Sequence, residues 1–197
     1  MKLAVLDYGI GNLRSAQKAF EHVGADARLT ADRSEIDAAD AVVLPGVGAF
    51  GACVDALDAI ASGRPFIGSC VGMQLLFAAS EETPGASGLG VFDSTITLLP
   101  PTVKRPQMQW NRLIATDPAH PMFVGLDEPW VYFVHSYFAE VGAETVGTCE
   151  YGATVSAAVA RDNVWATQFH PEKSATAGLQ ILSNFLRWAA LPASQRA

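Results

Sequence analysis

The feature that most constrains this chain is an alternation repeated three times within its first eighty residues. A short apolar run ends at a glycine-containing turn, and apolar residues at helical spacing follow. Residues 3–6 lead through Asp7 and Gly9 to Leu13, Ala16, Phe20 and Val23, and Gly24 closes the segment. Residues 41–44 lead through Pro45-Gly46-Val47-Gly48 to Ala52, Leu57 and Ile60, and residues 65–68 lead to a predicted helix carrying Met73, Leu76 and Phe77. Each unit reads as strand, turn and helix. Repeated units of this kind bury both faces of a parallel sheet under helices.

After about Ser80 the texture changes. Pro84, Gly85, Gly88 and Gly90 mark a loop, and residues 95–99, 110–114 and 131–134 read as strands without helices between them. This half is expected to be partly antiparallel. A last strand at 164–169 runs into His170-Pro171-Glu172-Lys173-Ser174, and Leu179, Leu182, Phe185 and Leu186 define a terminal helix. The expectation is an α/β fold with one mixed, mostly parallel sheet, as a single domain over residues 1–197. That length, half of it hydrophobic, supports one sizeable core but not a second catalytic module. Any second chemistry must come from another chain.

With 13 Lys and Arg against 20 Asp and Glu, the net charge of −7 offers no basic field for phosphate backbones, so a nucleic-acid partner is not expected. No apolar run reaches the ~20 residues of a membrane span, and the opening MKLAVLDYGIG lacks a signal peptide's apolar core. A soluble, cytoplasmic protein is expected, without membrane contact. Cys53, Cys70 and Cys149 are odd in number and widely spaced, so they read as free thiols with no metal site among them.

One of the three differs in setting. Gly68-Ser69-Cys70-Val71-Gly72 places G-x-C-x-G between an apolar strand and a helical pattern, which is a nucleophile elbow with sulfur in place of oxygen. The glycines permit a sharp turn that projects Cys70, and the backbone N–H groups that follow can stabilise a thiolate and a nearby oxyanion. The alternative is a tight connection around a buried cysteine.

A thiolate needs a base, and the chain has four histidines. His22 lies on the first helix and His120 in a turn, where solvated or capping roles suffice; His135 alternates with aromatics along a strand and reads as a hydrogen-bonded core histidine. His170 has Glu172 two residues on, and in extended chain such residues share a side. Cys70, His170 and Glu172 then fit the roles of nucleophile, base and orienting group. The alternative is a strand-end histidine beside a surface carboxylate. The glycines at 46, 48 and 51 match a dinucleotide fingerprint but lack the acid ~20 residues on, and those at 9 and 11 lack the third glycine. A better use for Gly46-Val47-Gly48 is to swing a peptide N–H toward an oxyanion.

Together, DYGIGNLRS at residues 7–15, LPGVGAF at 44–50, residues 68–74, YFVHSY at 132–137 and QFHPEKS at 168–174 resemble the class I glutamine amidotransferases. The opening, the PGVGAF turn and the K-x-P-x-M-x-W-N segment from Lys104 to Asn111 are similar to the branch that supplies ammonia to histidine biosynthesis. The resemblance implies a flavodoxin-like fold, no cofactor, and a Cys70 that attacks the side-chain amide of glutamine to give a thioester and ammonia. His170 would shuttle protons and Glu172 orient it. The oxyanion would meet the Val71 N–H and a peptide N–H of Gly46, Val47 or Gly48, while Gln74, Ser136 and Tyr137 would hold glutamine. Ammonia would pass to a cyclase partner chain, a (β/α)₈ barrel that converts PRFAR to imidazole glycerol phosphate and AICAR. Asn12, Met108, Trp110 and Lys173 would face that partner in a heterodimer, so part of the apolar content should be exposed. Trp110 could equally be a core indole.

Gln107 and Gln109 stand where the branch usually has His and Gly, Ser69 where it has Ile, and Ala166 where it has Gly. The two glutamines bear on the partner-facing surface. Alternatives are the glutaminase of another synthase, a cysteine hydrolase of a related family, or a non-catalytic scaffold of the same fold.

Overall fold

In chain order the elements are β1 (Lys2–Leu6), α1 (Leu13–His22), β2 (Asp26–Thr30), α2 (Arg33–Asp37), β3 (Ala41–Leu44), α3 (Phe50–Ala61), β4 (Phe66–Ser69), α4 (Val71–Gln74) and β5 (Phe77–Ser80). There follow β6 (Phe92–Leu98), β7 (Gln107–Arg112), β8 (Ile114–Ala115), β9 (Trp130–His135), β10 (Tyr137–Ala139), β11 (Thr145–Glu150), β12 (Thr154–Arg161), β13 (Val164–Thr167) and α5 (Ala175–Ala189). This computed structural model describes residues 1–9, 12–46 and 50–196, with the backbone alone for 50–54. Ile10, Gly11, Val47 and Gly48, and the side chains of Ala52 and Cys53, lie outside the described residues.

The main sheet runs in the order β2-β1-β3-β4-β13-β12-β11-β8. Its first five strands are parallel, and β12, β11 and β8 continue it antiparallel. The mixed, mostly parallel sheet is therefore as expected. Two smaller sheets accompany it, β10-β6-β5 and the ribbon β7-β9.

Alternation along β1 shows how the core divides. Leu3 and Val5 join one apolar cluster and Ala4 and Leu6 another, because successive side chains point to opposite faces. On the first face α5 brings Phe185 and Trp188 onto Trp165 of β13, and Phe20 of α1 packs edge-on against Phe185. The two indoles stack at 4.6 Å, and Phe185 meets Trp165 edge-on at 5.7 Å. Phe66, Leu44, Met73 and Leu76 fill the second face with Ala56 and Ala59 of α3. Burying each large apolar side chain contributes roughly 1.5–3 kcal/mol.

The helix expected to carry Met73, Leu76 and Phe77 stops at Gln74, and Phe77 opens β5 instead. Tertiary hydrogen bonds explain the stop. The carbonyls of Leu75, Leu76 and Phe77 accept from the N–H groups of Leu89, Phe92 and Gly90, so they cannot serve a continuing helix. The Phe77 ring packs on Phe92 at 5.2 Å.

Candidate active site

The site lies at the C-terminal ends of β4 and β13, neighbours in the middle of the sheet. Cys70 follows β4 directly at φ 53°, ψ −113°, and α4 begins at the next residue. The left-handed conformation is carried by the cysteine itself, at a cost of order 1–3 kcal/mol. The flanking glycines do something other than turn the chain. A Cβ on Gly72 would sit 2.1 Å from the Leu44 carbonyl oxygen, and one on Gly68 would sit 2.7 Å from that of Gly72. G-x-C-x-G is thus a packing requirement, letting α4 lie against β3 and β4 while Cys70 takes the strain. The Cys70 N–H donates to Thr167 O at 2.7 Å, which ties the nucleophile to β13.

After β13 the chain reaches His170 in extended conformation, and Pro171–Lys173 then form a 3-10 turn. His170 Nδ1 lies 2.9 Å from Glu172 Oε1. The i, i+2 pairing holds, but the turn makes it rather than an extended strand. Backbone contacts fix the histidine: its N–H donates to Tyr132 O at 3.0 Å, and its carbonyl accepts from the buried Ser174 hydroxyl at 2.6 Å. Tyr132 N–H in turn donates to Ser174 Oγ at 3.0 Å. Burial disfavours the charged imidazolium, but hydrogen bonding and charge from Cys70 and Glu172 outweigh it and raise the pKa to about 9. Among the described residues Nε2 is buried without a partner at standard hydrogen-bond geometry; Cys70, which raises its proton affinity, donates through Sγ to Val134 O at 3.7 Å. This nitrogen is the one polar position of the His170 ring left for a reacting group.

Val71 N–H is the first of α4 and has no acceptor within the helix. A Cβ on Gly46 would lie 3.0 Å from Cys70 Cβ and 3.1 Å from Val71 N, so the backbone of residue 46 packs directly on the elbow. Val47 and Gly48 lie outside the described residues. Gln74 is buried and donates through Nε2 to Tyr137 O at 2.8 Å and to Gln168 Oε1 at 3.0 Å. The Ser136 carbonyl accepts from Leu99 N–H. Beside the elbow lies a cavity of about 280 Å³ whose walls include Val71, Gln74, Leu75, Ser80 and Glu82. Sequence reasoning missed Glu82, which sits in a segment without periodicity or motif.

The other histidines occupy structural positions. His22 is exposed at the end of α1. His120 accepts from Met122 N–H through Nδ1, which caps a 3-10 turn, and its ring lies 5.4 Å from that of Trp165. His135 is a hydrogen-bonded core histidine, contacting Tyr137 O and the Gln107 carboxamide at 2.8 Å each. Gln107 is fully buried, so it does not belong to the partner-facing surface: on β7 it points inward while Met108 points out. Met108 is 62% and Trp110 43% exposed, and Trp110 rests edge-on against Tyr132 rather than in the core. Asn12 and Lys173 are exposed on α1's start and on the 171–173 turn, which packs on both α1 and β9. Cys149 is fully buried, and burial pushes its thiol up to about 12. Among the described residues no three His, Cys, Asp or Glu side chains are placed to hold a metal ion.

Residues 4–188 match the family model described as glutamine amidotransferase class-I. Among curated relatives, imidazole glycerol phosphate synthase subunit HisH of Methanothermobacter thermautotrophicus is 45% identical over 193 residues, covering 93% of this chain and 97% of the relative. The protein of the same name from Salinibacter ruber is 47% identical over 216 residues, covering 98% and 96%. Among solved structures, PurLQS from Thermotoga maritima superposes with a TM-score of 0.74 at 18% identity, covering 95% of this chain and 98% of that one. The glutaminase domain of Trypanosoma brucei CTPS with bound acivicin gives a TM-score of 0.67 at 15% identity, covering 95% and 94%. These two likenesses carry the fold alone. The family model and the near full-length relatives carry more, and on them the chain belongs to the class I glutamine amidotransferases.

Proposed function

We propose that this chain is the glutaminase component of an imidazole glycerol phosphate synthase, hydrolysing L-glutamine and passing the ammonia to a cyclase partner. The observation that carries the chemistry is the strained Cys70 beside a His170 whose Nδ1 is committed to Glu172 and whose Nε2 has no partner at standard hydrogen-bond geometry among the described residues. The specific synthase rests on near full-length relatives at about 45% identity.

Glutamine enters the cavity beside the elbow. Glu82 on its wall supplies a negative charge for the α-ammonium, and the Gln74 carboxamide oxygen is a free acceptor because both amide protons are used within the protein. Cys70 Sγ gives its proton to His170 Nε2, whose imidazolium form the raised pKa of about 9 favours, and then attacks the side-chain carbonyl carbon. The developing oxyanion is met by the Val71 N–H and by a peptide N–H of residues 46 to 48. The C–N bond breaks as His170 returns the proton to nitrogen, which leaves a γ-glutamyl thioester and ammonia. Water then adds to the thioester with His170 as base, releasing glutamate and the Cys70 thiol. Glu172 fixes the tautomer and favours the imidazolium formed between steps. Ser136 and Tyr137 frame the far side of the ligand.

Met108 and Trp110 are apolar, exposed and on one face of the β7-β9 ribbon, and with Asn12 and Lys173 they form the surface for the (β/α)₈ cyclase. The chain functions as one domain over residues 1–197, in the cytoplasm; among the described residues no helix is long and apolar enough to cross a membrane. The test is to combine the chain with PRFAR and the cyclase, and to supply glutamine as the sole nitrogen source. Formation of imidazole glycerol phosphate and AICAR is expected. Glutamine hydrolysis that feeds a different synthase, but never this one, would overturn the assignment.

A further inference from the structure

Three buried side-chain polar atoms among the described residues lack a partner: Gln107 Nε2, Gln168 Nε2 and His170 Nε2. All belong to one region, around and beneath the Cys70 site. His170 Nε2 is explained by the reaction. The other two lie on a chain of carboxamides that leads inward from Gln74, and His135 stands in its middle.

The chemistry of that chain fixes its protons. Tyr137 O can only accept, so His135 Nδ1, 2.8 Å away, carries a hydrogen. Burial holds the ring neutral, against the favourable bond to Tyr137, and nearby His170 discourages a second proton further. His135 Nε2 is therefore a bare lone pair, buried 2.8 Å from the Gln107 carboxamide. A lone pair needs a donor, so the NH₂ of Gln107 faces it and the Gln107 oxygen turns toward the Cys149 thiol, which keeps its proton. With this orientation the unpartnered Gln107 nitrogen disappears. The order of donation is then Gln107 to His135 to Tyr137 O, and Tyr137 O also receives Gln74 Nε2 at 2.8 Å.

We infer that Gln107 is a positioning residue for glutamine binding: through the neutral His135 ring it holds the Tyr137 carbonyl, and so the Gln74 carboxamide in the wall of the substrate cavity. The inference rests on the proposed glutaminase reading. Gln107 touches neither substrate nor reacting atoms. Its substitution therefore acts on how well Gln74 is placed to meet the ligand, and leaves Cys70, His170 and Glu172 in register.

The test uses the whole chain with its cyclase partner. Gln107→Met keeps the length and removes the donor, and it is expected to raise KM for glutamine about tenfold with kcat changed less than about threefold, as loss of one buried hydrogen bond implies. Gln107→His restores an N–H at similar reach and should recover most of the wild-type KM. Nitrogen-15 NMR of the wild-type ring should show a neutral His135 protonated at Nδ1, and Gln107→Met should keep that tautomer, held by Tyr137 O, but shift the Nε2 resonance as it loses its donor. A wild-type His135 protonated at Nε2 would overturn the inference, as would a Gln107→Met protein with unchanged KM. The NMR reading needs no variant to fold. Absence of glutamine hydrolysis by the wild-type complex would instead count against the glutaminase reading, so the two failures are distinct.

Discussion

Glu172 Oε1 lies 2.9 Å from His170 Nδ1, and both side chains are largely buried at the mouth of the central strands. A carboxylate so placed leaves the imidazole one protonation state for Nδ1 and one free nitrogen for chemistry. Replacing it with the uncharged Glu172→Gln keeps a polar group of the same shape but removes the charge that helps hold His170 near pKa 9. The expected result is a fall in kcat of ~10²–10⁴-fold with KM for glutamine within about threefold, as for orienting carboxylates in other triads. Steady-state glutaminase assays check it.

Gly72 of the elbow and Gly63 of the turn before β4 separate packing from conformation. A methyl on Gly72 would penetrate the Leu44 carbonyl at 2.1 Å, whereas one on Gly63 would meet open space at φ +74°. Gly63→Ala is expected to cost about 1 kcal/mol, or ~2–4 °C in Tm, and to leave glutamine hydrolysis intact. Gly72→Ala should cost several times more and abolish activity. Thermal melts of the two variants side by side give the comparison.

Stability should peak near pH 6.5. Burial, with repulsion from His170, holds His135 neutral and its pKa at about 4 against an ordinary 6.5, so between those values the unfolded chain binds a proton that the folded chain does not. Acidification from 6.5 toward 4 therefore removes stability, up to roughly 3 kcal/mol from this group. His120, also lowered by burial, adds in the same direction. His170 has the opposite sign: raised to about 9, it contributes stability that is whole below 6.5 and lost as pH rises through 9. Urea midpoints at pH 5, 6.5 and 8.5 should be highest at the middle value, and a steady rise to 8.5 would contradict this.

Trp110 tests the exposed ribbon. It is 43% exposed and leans on Tyr132 rather than the core, so Trp110→Ala should move Tm by no more than about 2 °C. If the proposed cyclase face includes this large exposed aromatic, Trp110→Ala should weaken cyclase binding at least tenfold. Titration calorimetry of the two chains measures it. Unchanged affinity would move the interface elsewhere.

What can be read from the sequence is local. The three βα units at the N-terminus and the terminal helix are written in apolar spacing, and Gly68, Cys70, Gly72, His170 and Glu172 lie in short motifs whose spacing carries their geometry. The strand β2 leaves little trace because it is a five-residue edge strand with exposed Asp26 and Arg28, and β12 because its run of small residues has no strong periodicity. Phe77 reads as helical by its spacing, but the carbonyls before it are claimed by a loop more than ten residues on. Glu82 and Gln107 belong to the same class of residue. Glu82 joins the cavity wall with Gln74 through a loop that has no periodicity, and Gln107 meets His135 across a ribbon, and no spacing records such meetings.

Nitrogen source is the most direct measurement of Cys70's role. The Cys70→Ala chain, assembled with the cyclase and given PRFAR, should form no imidazole glycerol phosphate from glutamine yet proceed at the wild-type rate with ammonium salts, because only the glutaminase step has been removed. Glutamine-driven product from the Cys70→Ala complex would show that the nucleophile lies elsewhere.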